Sequence, residues 1–169
     1  MEQVPVSRAA LAALLAVVVP AVAGCAKSAS EAPPAPNAST PAGLLSQRSG
    51  DLAFAFVPPA GWKSAEMPGL KFQVILGPSA DGFAPNINVV DEPFPGTLDD
   101  YVKANLANVK KAFPDGKVVS PAEAFATDTG LEGRRVVVEN TMQKTRLRQT
   151  FYFFAGEKAK LVVTCSAAA

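Results

Sequence analysis

The amino-acid sequence predicts an α+β domain in which one helix packs on a mostly antiparallel sheet. Between residues 51 and 166, short runs of alternating apolar and polar residues follow one another, and turns rich in Gly and Pro separate them. One segment, residues 97–113, instead has apolar residues at the three- and four-residue spacing of an amphipathic helix.

The chain begins with a short apolar leader. Ala9 to Val19 form an apolar block of 11 residues. This is the length of the apolar core of a signal peptide and is too short to cross a bilayer. Pro20 then breaks any helix that the block forms. We therefore predict a signal peptide over residues 1–24.

A cysteine follows the leader directly. Ala23 and Gly24 are small, as a signal-peptidase pocket requires, and Cys25 comes next. This arrangement resembles the lipobox of bacterial lipoproteins, which implies cleavage between Gly24 and Cys25 and acyl chains on the new terminal cysteine. At least two acyl chains anchor a protein stably to a membrane. Ordinary secretory cleavage near residues 21–23 is the alternative.

The composition of residues 25–50 predicts a spacer rather than a folded element. The segment is rich in Ala, Ser and Pro and contains little apolar bulk that a core would need. We therefore predict a lipidated, disordered tether over residues 25–50 and a folded domain over residues 51–169.

The first half of the domain contains three predicted strands and the helix. In Asp51–Val57, Leu52, Phe54 and Phe56 fall on one face, as in a half-buried strand. Lys71–Leu76 and Asn86–Asp91 show the same alternation.

The helix is the strongest local prediction. Thr97 suits the N-cap position, and Asp99 and Asp100 follow in the first turn, where the helix dipole favours acidic side chains. Lys110 and Lys111 lie in the last turn, where the dipole favours cations. A single apolar stripe then faces the sheet, and it consists of Leu98, Val102, Leu106, Val109 and Phe113.

Four further strands are predicted after the helix. The segments are 118–127, interrupted at Pro121, and then 134–140, 145–154 and 159–166. A turn at Met142–Gln143 pairs Thr141 with Lys144 and places Glu139 opposite Arg146.

The last three strands are apolar on both faces of the sheet. Such a sheet needs a cover on each side. One face has Val136, Val138, Leu147, Phe151 and Phe153, and the other has Val137, Tyr152, Phe154, Leu161 and Val163.

The order of these elements resembles a known family. A strand, the sequence Pro-Pro-Ala-Gly-Trp at 58–62, two strands, the sequence Pro-Gly-Thr-Leu-Asp-Asp-Tyr at 95–101 opening a helix, and a closing meander resemble the PsbP-like α/β/α sandwich. Its bacterial relatives include lipoproteins of the DcrB and LpqN type. The resemblance implies a domain without catalytic residues.

The family usually has a C-terminal helix that covers the sheet after the last strand. Here that helix is missing from the pattern, because the sequence stops at Ala169. Either the sequence is incomplete, or one sheet face is open for a partner or for self-association.

Composition excludes several classes of function. The sequence contains no histidine, which removes the commonest general base, metal ligand and partner of a nucleophilic serine. Net charge is +1, so no long-range field attracts nucleic acid. Two cysteines cannot form a zinc site. We therefore predict no enzymatic activity, no metal, no cofactor and no nucleic-acid partner.

One group of charged residues is a candidate partner surface. Arg135, Arg146 and Arg148 fall on one predicted hairpin and form a docking patch for an acidic partner in the functional interpretation. In the alternative interpretation they belong to an ordinary solvated strand face, where Arg146 pairs with Glu139.

Together these observations predict a lipoprotein of the bacterial cell envelope. Cys25 anchors it to the membrane, and its domain lies on the extracytoplasmic side as a non-catalytic binding or assembly module with an envelope protein partner. An envelope enzyme or a carrier of a small ligand, with a site that lacks histidine, is the alternative.

Overall fold

The computed structural model describes residues 40–41 and 45–169. The predicted signal peptide and most of the predicted tether lie outside these residues. The helix, α1, spans Leu98–Ala112. The strands are β1 Thr40–Pro41, β2 Leu45–Ser49, β3 Leu52–Phe56, β4 Lys63–Ala65, β5 Val74–Leu76, β6 Asn86–Glu92, β7 Lys117–Ala126, β8 Glu132–Met142, β9 Thr145–Ala155 and β10 Lys160–Ala168.

Eight of these strands form one antiparallel sheet in the order β1-β4-β5-β6-β10-β9-β8-β7, while β2 and β3 form a separate two-stranded sheet. Helix α1 connects β6 to β7, which lies at the far edge of the sheet. The meander β7-β8-β9-β10 then leads back across the sheet, so that β10 pairs with β6. The predicted α+β class, mostly antiparallel with one helix, is confirmed for the described residues.

Helix α1 begins with a reciprocal capping box. The Asp100 backbone N–H donates to Thr97 Oγ1 at 3.1 Å, and the Thr97 backbone N–H donates to Asp100 Oδ2 at 3.1 Å. The Thr97 side chain is the main reason why the pKa of Asp100 lies below its ordinary value. The helix predicted over 97–113 is confirmed, with Thr97 and Phe113 as its caps.

The helix packs on one side of the sheet, here called the helix face. Tyr101 is fully buried there, and its ring meets Phe153 edge to face with 5.8 Å between centroids. This core consists of Val90, Tyr101, Val102, Val109, Val136, Val138, Phe151, Phe153 and Val162.

The opposite side of the sheet, the hairpin face, is covered in a different way. An open face was one of the two expectations from the sequence, but the β2–β3 hairpin packs part of its apolar side against this face. The buried core here consists of Leu52, Phe72, Val89, Phe154 and Leu161. Phe54, Phe56, Phe125, Leu131, Tyr152 and Val163 pack around it.

Strands β2 and β4 differ from the predicted pattern, and so does the two-residue strand β1 at Thr40–Pro41, which also lies in the range predicted as a tether. Strand β2 at Leu45–Ser49 falls within the range predicted as a disordered tether, so the predicted domain boundary at residue 51 is too late. Strand β4 at Lys63–Ala65 is also absent from the prediction. Both are short and mostly polar, so alternation of apolar residues gives them no signal, and each forms because a neighbouring strand supplies hydrogen bonds.

The predicted register of β8 and β9 is wrong by two residues. Met142 pairs with Thr145, which places the turn at Gln143–Lys144, where φ is 47° and 73°. Both residues adopt the left-handed region that a two-residue hairpin needs, without the usual glycine. Because the shift is even, every side chain stays on its predicted face. Arg146 still bonds Glu139, now diagonally, at 2.5 Å.

Candidate functional site

The candidate functional site is a groove on the hairpin face, with a volume of about 370 Å³. It runs between strand β3 and the turn that joins β7 to β8. Its lining residues are Ser46, Leu52, Ala53, Phe54, Ala55, Thr127, Asp128, Thr129, Leu131, Phe154, Leu161 and Val163.

The floor of the groove is apolar. Phe154 lies opposite Leu161 in the β9–β10 pairing, and Val163 is the next residue of β10 on the same face. Phe154 and Leu161 are buried, while Val163 is half-buried and accessible from the groove. The floor thus offers a ligand a continuous apolar surface without any charged group.

Packed aromatic rings lie on both sides of the groove. On the hairpin side, Phe54 meets Phe72 edge to face with 5.5 Å between centroids. On the other side, Phe125 lies 4.8 Å from Tyr152 and 6.1 Å from Phe154, centroid to centroid. Such pairs have specific preferred geometries, and two of these rings, Phe54 and Phe154, line the groove itself.

The rim of the groove is polar but nearly uncharged. The Leu131 backbone N–H donates to Thr127 Oγ1 at 3.0 Å, and Thr129 Oγ1 lies 3.1 Å from the same hydroxyl oxygen. These contacts fix the turn that forms one wall. Asp128 is the one charged residue in the lining of this groove, and it is exposed.

A group of polar side chains attaches the hairpin to the sheet beside the groove. Ser49 Oγ donates to Asp91 Oδ2, and Lys71 Nζ contacts the same oxygen at 2.5 Å. Ser49 is fully buried. Burial raises the pKa of Asp91, but the hydrogen bonds from Lys71 and Ser49 outweigh this effect and leave that pKa below its ordinary value.

This Ser-Asp-Lys group has the composition of a catalytic site but the geometry of a structural clamp. The lowered pKa of Asp91 makes its carboxylate a weak base, and the ammonium of Lys71 bonds Asp91 rather than Ser49. The Ser49 hydroxyl is fully buried and inaccessible to a substrate. The group therefore holds strand β2 against β6.

A second clamp holds the tip of the hairpin. Asp51 accepts hydrogen bonds from the backbone N–H groups of Glu157, at 2.7 Å, and Lys158, at 3.3 Å. The bond from Glu157 is the main reason why the pKa of Asp51 is lowered. Gly156 allows this approach, because a Cβ there would lie 2.7 Å from Asp51 Oδ1.

The predicted arginine surface lies on the hairpin face, away from the groove lining. Arg135 pairs with Glu123, which raises the pKa of that arginine, and Arg146 pairs with Glu139. Arg148 is exposed and stands opposite Glu139 in the β8–β9 pairing. Two of the three arginines thus have acidic neighbours in direct contact.

The other predicted site residues, Gly24 and Cys25, lie outside the described residues. The second cysteine, Cys165, is on β10, where burial raises the pKa of its thiol to about 11. Within residues 40–41 and 45–169, no cluster of acidic or cysteine side chains is arranged to hold a metal ion. No helix in this part of the chain is long and apolar enough to span a bilayer.

The comparisons with known proteins give a fold relationship and no family. No family model matches the sequence, and no curated protein matches it significantly. PA94 from Pseudomonas aeruginosa, a protein of unknown function, is similar in structure, with a TM-score of 0.51 and 13% identity over 75% of this chain and 83% of that one. LpqN, involved in cell envelope biogenesis in Mycobacterium tuberculosis, gives a TM-score of 0.48 and 14% identity over 78% of each chain.

At these identities the similarity concerns the fold alone. The PA94 structure is consistent with the α+β architecture described above.

The groove was not predicted from the sequence. Its walls come from β3 and residues 127–131, and its floor comes from β9 and β10. The one available signal was the alternation in Leu52–Phe56, which marks a strand with one apolar side but does not say which surface that side meets.

Proposed function

We propose that this protein is a membrane-tethered, non-catalytic binding module of the bacterial cell envelope. The observation that carries the proposal is the groove on the hairpin face. It combines an apolar floor, flanking pairs of packed aromatic rings and an accessible mouth. Its volume of about 370 Å³ lies at the lower end of the range of known ligand pockets, about 300–1,000 Å³.

The membrane tether in this proposal rests on the sequence. Cys25 follows Ala23 and Gly24 at the end of an apolar leader, as lipid attachment requires. Strand β1 already pairs with β4 of the main sheet and begins at Thr40, so acylation of Cys25 would hold the domain near the bilayer through a linker of about fourteen residues.

The absence of catalysis in this proposal is supported by the Ser-Asp-Lys clamp. Among the described residues, this group is the most similar in composition to a catalytic site that works without histidine. Its serine, however, is fully buried and donates its hydrogen bond to a carboxylate. A groove floor made of Phe154, Leu161 and Val163 offers no group that transfers a proton.

Lipid attachment is tested by metabolic labelling with a clickable palmitate analogue. We expect the wild-type protein to be labelled and to sediment with membranes, while the Cys25→Ser variant is unlabelled. Equal labelling of both proteins, or a wild-type protein found only in the soluble fraction, would contradict the tether.

Binding at the groove is tested by site-specific photo-crosslinking in intact cells. A benzophenone amino acid is placed at Ala55, which lines the groove, and as a control at Lys103, which is exposed on α1. We expect a discrete adduct from Ala55 that Lys103 does not give. A small mass increase on the protein would identify a carried small ligand, and identical patterns from both positions would contradict a binding groove.

A further inference from the structure

We propose that the groove binds an extended peptide segment, which adds to the free edge of strand β3 as a third strand of the hairpin sheet. This inference rests on the proposed binding function and specifies the chemical class of its partner. It depends on which backbone groups of β3 face the groove.

The turn of the hairpin determines the direction of these groups. Gly50 and Asp51 form a two-residue turn, and of the two only Gly50 has a positive φ, at 59°. This is the pattern of a type II′ turn, whose flanking residues, here Ser49 and Leu52, bond each other through both backbone groups. In an antiparallel pair, bonded and non-bonded residues then alternate along the strand.

The alternation directs the backbone of two alanines away from β2. Ala53 pairs with Arg48 and Ala55 pairs with Ser46, both at non-bonded positions. Their N–H and C=O groups therefore point out of the hairpin, toward its other edge. Both alanines line the groove, and among the described residues β3 pairs with β2 alone.

A peptide strand can form hydrogen bonds with the free backbone groups of β3, whereas a lipid chain cannot. Its backbone N–H and C=O groups bond those of Ala53 and Ala55 at the usual strand spacing of about 4.8 Å. Alternate side chains of the added strand then point down onto Leu161 and Val163, and the others point to solvent. An acyl chain would cover the floor but leave the backbone groups of β3 without partners.

The charge of the groove lining also indicates which charge the bound peptide should have. Asp128 is the one charged lining residue, and no cationic side chain lines the groove. A peptide with a basic residue near the turn is therefore favoured, and an acidic peptide or an anionic lipid head group is disfavoured.

The test uses the full chain with Cys25→Ser and a panel of acetylated heptapeptides. The peptides have Ala, Val, Leu or Phe at alternate positions, Thr between them, and Lys or Glu at one end. We expect binding of a Lys-terminated member, weaker binding of its Glu-terminated twin, and loss of binding when alternate backbone nitrogens are methylated. The bound peptide should slow hydrogen exchange at the Ala53 and Ala55 amides, while Phe54, whose amide bonds β2, changes little.

A matched pair of variants removes one edge donor. Ala55→Pro deletes the outward N–H without breaking the β2–β3 ladder, whereas Ala55→Val keeps it. One hydrogen bond of about 1 kcal/mol corresponds to about a fivefold loss of peptide affinity in Ala55→Pro. Ala55→Val keeps the N–H and should therefore lose less affinity than Ala55→Pro, and equal losses in the two variants would overturn the edge hydrogen bond.

The outcomes separate this inference from the proposed function. If methylated peptides or a neutral monoacylglycerol bind the groove and leave Ala53 and Ala55 unprotected, strand addition is overturned while a binding module remains. If no peptide binds and no lipid competes for a crosslinker at Ala55, both proposals fail.

Discussion

The hydroxyl of Ser49 donates a hydrogen bond to the carboxylate of Asp91, which joins the hairpin to strand β6 of the main sheet. Ser49 is fully buried, and Asp91 also contacts the exposed ammonium of Lys71. One carboxylate therefore connects three separate segments of the chain, and the hairpin that borders the groove depends on it.

Ser49→Ala should lower the free energy of unfolding by about 1–2 kcal/mol, because it removes a hydrogen bond to a charged group. Lys71→Ala is the matched control and should cost less than about 1 kcal/mol, since most of that side chain is in solvent. Urea denaturation monitored by circular dichroism measures both. Equal effects of the two substitutions would show that the Ser49 hydroxyl contributes no more to stability than Lys71 does through its contact with Asp91.

Acid should weaken the same clamp. Because the pKa of Asp91 is lower in the folded protein than in the unfolded chain, its contribution to stability is present above about pH 4 and is lost as the pH falls through the folded value. Unfolding free energy measured at several pH values should therefore decrease less steeply below pH 4 in Asp91→Asn than in the wild type. Parallel curves for the two proteins would exclude this role for Asp91.

Gly156→Ala should destabilise the protein by about 1–3 kcal/mol, since the new Cβ would overlap the Asp51 carboxylate and the Leu52 side chain. Thermal unfolding measures the change. Glu157→Ala is the control, because its side chain is exposed and its backbone N–H still reaches Asp51. A wild-type melting temperature for Gly156→Ala would show that the hairpin tip has room to move.

Lys144→Gly should stabilise the protein by about 0.5–1 kcal/mol. Lys144 has a φ of 73°, which is strained for a residue with a Cβ, and this relief exceeds the entropy that glycine adds to the unfolded chain. Lys158→Gly provides the comparison, because Lys158 is not among the residues with positive φ. Glycine there relieves no strain and should lower the stability of the protein. Chemical denaturation of both variants checks the opposite signs.

The thiol of Cys165 should react slowly with Ellman's reagent at pH 8, because burial raises its pKa to about 11 and thiolate is scarce. The measurement uses Cys25→Ser, in which Cys165 is the sole cysteine. The same protein in guanidinium chloride should react quickly. Equal rates in the two conditions would show that the thiol is accessible in the fold.

Local signals in the sequence predicted the elements that local interactions create. Helix α1 follows from Thr97, Asp100 and an apolar stripe, all within one stretch of chain. The faces of β8 and β9 were also predictable, because apolar alternation determines them and a two-residue shift does not alter it.

Elements that depend on distant partners were not predictable. Strand β2 contains mostly polar residues and exists because β3 pairs with it. The turn at Gln143–Lys144 lacks the glycine or asparagine that usually marks such a hairpin, which is why its register was misplaced. The groove forms only where the β2–β3 hairpin and the turn at Thr127–Leu131 lie close together. The sequence of neither segment indicates that the other is its neighbour.

The bond between Asp51 and Glu157 spans 106 positions of the chain. Contacts of such long range slow folding, because a large loop must close before they form. Because the chain is synthesised from its N-terminus, the β2–β3 hairpin emerges long before strands β9 and β10, on which it packs. The apolar side of the hairpin stays uncovered during that interval, and exposed apolar surface of this kind makes a folding chain prone to aggregation.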